Sequence, residues 1–196
     1  MKVSARQIQK ANTRKRILET AYRVFAEKGF SVATSIIAKE AGVSHGSIFV
    51  HFPTLNDLLT CLLADFGDKM GTRLHMLTHK CDSLDDLLNE HLNVLEENEA
   101  FYSRFIAEKN GLPDEAKSAF MFIQSTLAFH FSIVIEREIE KGTVKKLPIP
   151  MLFNTWLGLI HYYLLNREFF VNSNESVIKR YRADLLSTYL NLVKKV

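Results

Sequence analysis

The chain has 196 residues, and its 25 Lys and Arg against 22 Asp and Glu give a formal net charge of +3 at pH 7. Apolar residues make up 47% of the chain, which is enough for a buried core and excludes a disordered polypeptide. The 8 glycines and 4 prolines are too few for the many short strands of a sandwich or barrel, so long helices are expected.

Apolar spacing is helical almost throughout and predicts about nine helices. The first begins behind Asn12 or Thr13, repeats apolar side chains from Ile17 to Phe25, and ends at Gly29. Two helices of about two turns each follow, and neither is long enough to be stable alone. We therefore expect both to pack on the first helix.

Capping signals mark the next two helices. Thr54 with Asp57 forms a capping box that opens a long fourth helix, and Ser83 opens a fifth. Two glycines, Gly67 and Gly71, lie inside the fourth helix, where each costs about 0.5–1 kcal/mol relative to alanine. Either a neighbour approaches the helix closely there, or the helix bends.

The remaining helices complete an all-α prediction. A sixth covers residues 99–110, a seventh ends at Lys141, an eighth follows Pro148 and Pro150, and a ninth follows the polar run 172–175. No convincing strand, internal repeat or low-complexity segment is present in the sequence.

Charge is distributed unevenly along the chain. Residues 1–60 hold nine Lys or Arg against four Asp or Glu, a net charge of +5, whereas the remainder holds 16 against 18. A basic head on a slightly acidic body is typical of a phosphate-binding module attached to another domain. A solvated surface produces the same pattern, so charge alone does not decide between the two.

Residues 37–52 have the spacing of a helix-turn-helix. Gly42 can adopt the positive φ that ends the first helix of the motif, and Ser44 can cap the second. The second helix then opens with the small or polar residues 44–47, which are unsuited to a core. In a helix-turn-helix motif the N-terminal end of the second helix enters the major groove of DNA. The alternative is an ordinary helical hairpin inside a bundle.

A specific set of residues extends this motif in both directions. It comprises Thr13 to Leu18, Ala21, Phe25 to Phe30, Ile37-Ala38, Ala41 to Ser44, Gly46 to Phe49, His51-Phe52 and Leu58-Leu59. With these residues, the chain from about 13 to 63 resembles the DNA-binding head of the TetR (tetracycline-repressor-like) family of bacterial transcriptional regulators. The remainder is similar to the family only in length and helical content.

The resemblance implies an all-α homodimer that binds a pseudo-palindromic double-stranded operator. Residues 1–53 would form the DNA-binding domain and residues 54–196 the effector-binding and dimerisation domain, with the last two helices pairing across a twofold axis. It further implies a repressor that a small, largely apolar effector releases from DNA. Carried over by position, the residues facing DNA are Arg14, Lys15, Thr34, Ser35, Ser44, His45, Gly46, Ser47, Phe49 and His51.

The chain departs from the family pattern in the segment between Phe30 and Ala38, which is one residue shorter than usual and has Ile36 at an often polar position, and at two positions further along. Phe49 stands where the family commonly has Tyr, and Leu55 stands where it commonly has Lys, so two usual backbone contacts are missing. The recognition helix also offers no Arg, Lys, Asn or Gln for bidentate base pairing. Direct readout is therefore expected to rest on His45, Ser44 and Ser47, on contacts to thymine methyls and on DNA shape.

Aromatic residues crowd the predicted sixth and seventh helices. Such density can line a cavity for an apolar ligand, and it can equally be plain core. The candidate ligand-binding residues are Phe66, Met70, Phe105, Phe122, Phe129, His130 and Trp156.

The sequence gives weaker support to a metal-binding protein or an enzyme. His75 and His79 lie four residues apart with Cys81 nearby, which suits a transition metal, but no fourth ligand is evident, so a solvated helix end is the favoured explanation. No Gly-x-Ser-x-Gly, dinucleotide-binding or Walker loop occurs. We therefore expect no enzyme activity, no cofactor and no metal. A head that binds DNA constitutively, without an effector, stays open as an alternative.

The number of cysteines and the hydropathy of the sequence indicate the cellular compartment of the protein. Cys61 and Cys81 cannot form a disulfide framework, which favours a reducing compartment. The first ten residues carry no apolar run, and no stretch of about 18 uncharged apolar residues occurs. The sequence therefore predicts a cytoplasmic protein without a membrane partner.

Overall fold

The computed structural model describes residues 4–78, 83–173 and 175–195, without the side chains of residues 74 and 76–78. Its α-helices are α1 Ala5–Lys28, α2 Thr34–Glu40, α3 His45–His51, α4 Leu55–Thr78, α5 Leu84–Glu97, α6 Glu99–Glu108, α7 Asp114–Glu140, α8 Ile149–Leu165 and α9 Val177–Val193. Within these residues, β structure is limited to one isolated bridge between Val144 and Lys194. The all-α prediction is confirmed.

The first helix begins earlier than its apolar pattern predicts. Ser4 caps α1 and forms a capping box with Gln7, so the predicted caps at Asn12 and Thr13 are wrong. Residues 4–12 are exposed on every side. Hydrophobic periodicity cannot detect a helix turn that buries nothing, and the helix therefore runs about two turns further than predicted.

The other predicted caps are confirmed. Ser44 Oγ accepts a hydrogen bond from Ser47 N at 3.2 Å. Thr54 Oγ1 accepts from Asp57 N at 3.0 Å, and the Asp57 carboxylate accepts from Thr54 N at 2.9 Å. Ser83 caps α5 in the same way. These interactions join residues three apart, so they depend on local sequence alone.

Two hydrophobic clusters divide the molecule into a head and a body. The head core is built from α1 to α4 but also contains Phe101 and Phe105 of α6. The body core joins α4 to α9 and includes Tyr102, the neighbour of Phe101. One side of α6 therefore packs in the head while the other packs in the body, and α4 contributes to both cores.

The glycines of α4 have different surroundings. A Cβ built on Gly67 would lie 2.8 Å from Ile123 Cγ1 of α7, which is closer than real Cβ contacts allow. At Gly71 the nearest such atom is Thr126 Cγ2 at 3.7 Å, an ordinary contact. The close-approach explanation thus applies to Gly67, where α7 packs directly against α4.

Within the described residues, α7 is the one helix that could span a membrane by length and composition, although 39% of its most apolar stretch is buried. α3 and the first part of α4 pass the same test only as a single span, and they meet at 60°. The inner side of α7, including Ile123, Leu127 and Phe131, lies in the body core. Core helices of soluble proteins commonly have this composition.

Candidate nucleic-acid interface

The turn between α2 and α3 fixes the angle between them. Gly42 adopts φ of +64°, which is open to glycine at no steric cost. The amide of Val43 donates to the carbonyl of Ala38 at 3.0 Å, which closes the turn. Ile37 and Ile48, one on each helix, are fully buried in the head core. The two helices therefore form the predicted helix-turn-helix unit.

The start of α3 presents a connected set of polar side chains to solvent. Ser44, His45 and Gly46 are exposed, and Ser47 is half-buried. His45 Nε2 lies 2.8 Å from Thr34 Oγ1 of α2, and Ser44 Oγ lies 2.7 Å from Ser47 Oγ. The contact with Thr34 gives the imidazole a fixed direction before any base is met, which lowers the entropy cost of a base contact.

Apolar groups stand beside these polar ones. The ring of Phe49 packs edge-on against His45 with 5.1 Å between ring centroids, and 41% of its surface is exposed. Val50 is 71% exposed and was not among the residues that the sequence singled out. Exposed β-branched and aromatic side chains on a recognition helix are suited to contact thymine methyls.

The extra turns of α1 add basic residues next to α3. Arg6, Gln9, Lys10 and Thr13 line a shallow hollow that is closed on the other side by side chains of α3. Those α3 residues are Ser47, Val50 and His51. The apolar pattern does not reveal that this group lies beside α3, because it places the start of α1 too late. The Ser4-x-x-Gln7 capping box is the signal that identifies it.

Arg14 and Lys15, predicted to contact phosphates, have different surroundings. Arg14 Nη2 donates to Cys61 Sγ at 3.1 Å, and its guanidinium carbon lies 4.4 Å from the centre of the Phe52 ring. Lys15 is exposed and pairs with Glu19 at 3.7 Å. Arg14 thus joins α1 to α4 and the end of α3, whereas Lys15 is free to reach solvent anions because exposed pairs are weak.

His51 lies at the base of the hollow. Burial, together with the positive charges of Lys10 and Arg14, lowers the pKa of its imidazole below the usual value. Its Nδ1 atom is buried and has no hydrogen-bond partner in the described part of the chain. The neutral ring leaves the local positive charge to Arg6, Lys10 and Arg14, so a phosphate at this position would be bound by those side chains.

The candidate ligand residues are spread over both cores and the surface, with Phe66, Met70 and Trp156 in the body core. Phe122 and Phe129 are 68% and 62% exposed on the outer side of α7, whereas Trp156 is buried and donates to His91 Nδ1 at 2.9 Å. Phe105 lies in the head core. Phe66 borders a cleft of about 680 Å³ between α1 and α4, which none of the other six candidates reaches.

The metal alternative finds no support in the part of the chain that the structure covers. Within it, no group of three or more His, Cys, Asp or Glu side chains is placed to hold a metal ion. The ring of His75 packs against that of His130, with 6.1 Å between centroids. His79 and Cys81 lie outside the described residues.

Sequence comparisons agree with the geometry of the head. The family model for bacterial regulatory proteins of the tetR family matches residues 17–60. The HTH-type transcriptional regulator YuxN of Bacillus subtilis is 34% identical over 128 residues, covering 62% of this chain and 44% of the relative. An HTH-type transcriptional repressor of Mycobacterium tuberculosis is 39% identical over 84 residues, 40% of this chain and 42% of the relative. The chain thus spans less than half the length of these two curated relatives.

Structural similarity extends over the body as well. A TetR-family transcriptional regulator from Agrobacterium tumefaciens superposes with a TM-score of 0.80 over 95% of this chain and 100% of that one, at 15% sequence identity. At that identity the likeness shows the fold alone. Because the family model and the curated relatives agree with this geometry, residues 17–60 form a helix-turn-helix head of the tetR family of bacterial regulatory proteins.

Proposed function

We propose that the protein is a transcriptional regulator that binds double-stranded operator DNA as a homodimer. The observation that carries the proposal is the exposed polar start of α3. Thr34 orients His45 there, and residues 44–47 are not part of the hydrophobic core. A helix end of this kind, beside the basic side chains of Arg6 and Lys10, is suited to the major groove and its flanking phosphates.

Dimerisation is assigned to α8 and α9. Met151, Tyr162 and Leu165 lie on one side of α8 and are 61%, 59% and 46% exposed, and Leu192 of α9 is 54% exposed. An apolar surface spread over two adjacent helices is typical of a subunit interface. A dimer that binds two half-sites on one side of the duplex must hold its two α3 helices about 34 Å apart, or a multiple of that distance.

Repression relieved by a small effector is the proposed mode of regulation. The M. tuberculosis relative is named a repressor. α6 supplies a physical route for release, because Phe101 packs in the head while the adjacent Tyr102 packs in the body. A ligand acts through this route only if it binds the two arrangements of the dimer with different affinities.

Selection of bound duplexes from a random library tests the proposal. We expect an enriched motif with two half-sites related by a twofold axis. Gly46→Glu places a carboxylate at the groove, and a Cβ there meets no atom within 4 Å, so the fold should tolerate it while binding is lost. Gly111→Glu adds the same charge in the body at an equally open position and should bind normally. A library without enrichment would contradict the proposal.

A further inference from the structure

A polar cluster lies where α6, α7 and α8 meet, away from the proposed DNA surface. Tyr102 is buried, and its hydroxyl lies 2.8 Å from His161 Nε2 of α8. Gln124 Nε2 of α7 donates to the same hydroxyl oxygen at 3.3 Å. His161 and Gln124 are only partly buried, so the cluster reaches the surface.

The hydrogen bonds fix which groups remain available. Because Gln124 donates to the Tyr102 oxygen, the hydroxyl proton is free to point at His161 Nε2. His161 is neutral near pH 7, since burial and the nearby charge of Lys109 lower its pKa to about 4. With Nε2 accepting the hydroxyl proton of Tyr102, the imidazole proton is on Nδ1, where it can be donated to a bound molecule.

Lys109 adds a positive charge to this edge. Its Nζ lies 5.8 Å from the centre of the Phe120 ring. Across the described residues, no carboxylate oxygen lies within 4 Å of that ammonium group. Phe120 in turn packs 6.3 Å from Tyr102 and 4.7 Å from Phe105, centre to centre. An uncompensated cation and two neutral donors thus border an aromatic surface.

We propose that this cluster binds a small monocarboxylate with an apolar body. One ammonium group matches one carboxylate charge, His161 and Gln124 can donate to its oxygens, and Phe120 offers a surface for the apolar part. Tyr102 adjoins Phe101 of the head core, so a ligand that displaces Tyr102 acts directly on α6. The regulatory consequence rests on the proposed function, whereas binding itself does not.

Isothermal titration with the full chain tests the site, using linear carboxylates from acetate to decanoate together with 4-phenylbutyrate. We expect 4-phenylbutyrate to bind and its uncharged amide to bind at least tenfold more weakly. Lys109→Met should weaken binding at least tenfold. Lys117→Met should leave it unchanged, because Lys117 pairs with Asp114 at 3.2 Å outside the cluster.

Three results would overturn the proposal: equal affinity for acid and amide, an unaffected Lys109→Met variant, or no binding by any carboxylate at millimolar concentration. These titrations contain no DNA, whereas the library selection contains no ligand. Carboxylate binding without an enriched DNA motif would therefore refute the proposed function and leave this site standing, and the reverse result would refute the site alone.

Discussion

The carboxylate of Glu108, at the end of α6, accepts a hydrogen bond from the backbone amide of Phe30 at 2.9 Å. Phe30 follows Gly29 in the turn between α1 and α2, so a residue of α6 caps a turn of the head. Arg104 pairs with the same carboxylate at 3.3 Å. The position of α6 and the conformation of this turn are therefore coupled through one side chain.

Glu108→Ala should lower the free energy of unfolding by about 1–3 kcal/mol, because it leaves the partly buried amide of Phe30 without its acceptor. Glu108→Gln keeps an oxygen that can accept this hydrogen bond, so its free energy of unfolding should decrease much less. Urea denaturation of both variants measures the difference. Equal losses would mean that the charge pair with Arg104, rather than the bond to Phe30, stabilises this junction.

His45→Ala should relax sequence preference. If His45 makes one good base contact, the cost on the preferred operator is about 1–3 kcal/mol, and it should shrink on operators mutated at that base. Thr34→Val removes the hydroxyl that orients the imidazole and should produce part of the same effect. Affinities across a panel of mutated operators provide the measurement. A loss that is uniform across the panel would remove His45 from the readout.

Lys10→Met should reduce the slope of log affinity against log salt concentration by about 0.9, the change expected for one lost phosphate contact. Arg14→Met should change that slope less and reduce stability instead, because Arg14 packs against Phe52 and Cys61. Salt titrations together with thermal unfolding separate the two effects. A larger slope change in Arg14→Met at unchanged stability would restore Arg14 as the phosphate ligand.

Gly158→Glu should separate the subunits. Gly158 lies on α8 between Met151 and Tyr162, and a Cβ built there meets no atom within 4 Å of the single chain. The isolated fold should therefore tolerate the carboxylate, whereas a twofold interface would bury two of them. Sedimentation velocity measures the outcome. A variant that remains dimeric would place the interface elsewhere.

Stability should fall as the solution is acidified below about pH 6.5. Burial lowers the pKa of His91 to about 3, so between pH 6.5 and 3 this histidine takes up a proton when unfolded but not when folded. The free energy of unfolding therefore decreases as the pH falls through that window, by up to about 2 kcal/mol at pH 5. His91→Gln should show a shallower decline in urea denaturation at pH 7 and pH 5. An identical decline would assign the effect to other groups.

Local chemistry made part of this structure predictable. The start of α3 depends on Ser44 and Ser47, which lie three residues apart, and the sequence carries that information in full. The start of α1 is equally local, because it depends on the capping box of Ser4 and Gln7, although the apolar pattern gives no sign of it. Neither prediction required knowledge of tertiary contacts.

The side-chain contacts of the body could not be predicted from the sequence, for a different reason. Tyr102 and His161 are 59 residues apart, and their hydrogen bond exists only because α6 packs on α8. The aromatic pattern of α7 does not show which side chains face the core. The sequence therefore predicts Phe122 and Phe129 as ligand-binding residues together with buried rings, although both are exposed. Pairings of this kind follow from helix packing, which a single sequence does not specify.

Hydroxyl-radical footprinting on the selected duplex tests the central claim most directly, because it maps where paired α3 helices lie on DNA. We expect two protected segments on one side of the duplex, each next to a major groove and about 34 Å or a multiple of it apart. A single continuous protected segment, or two protected segments on opposite sides of the duplex, would contradict it.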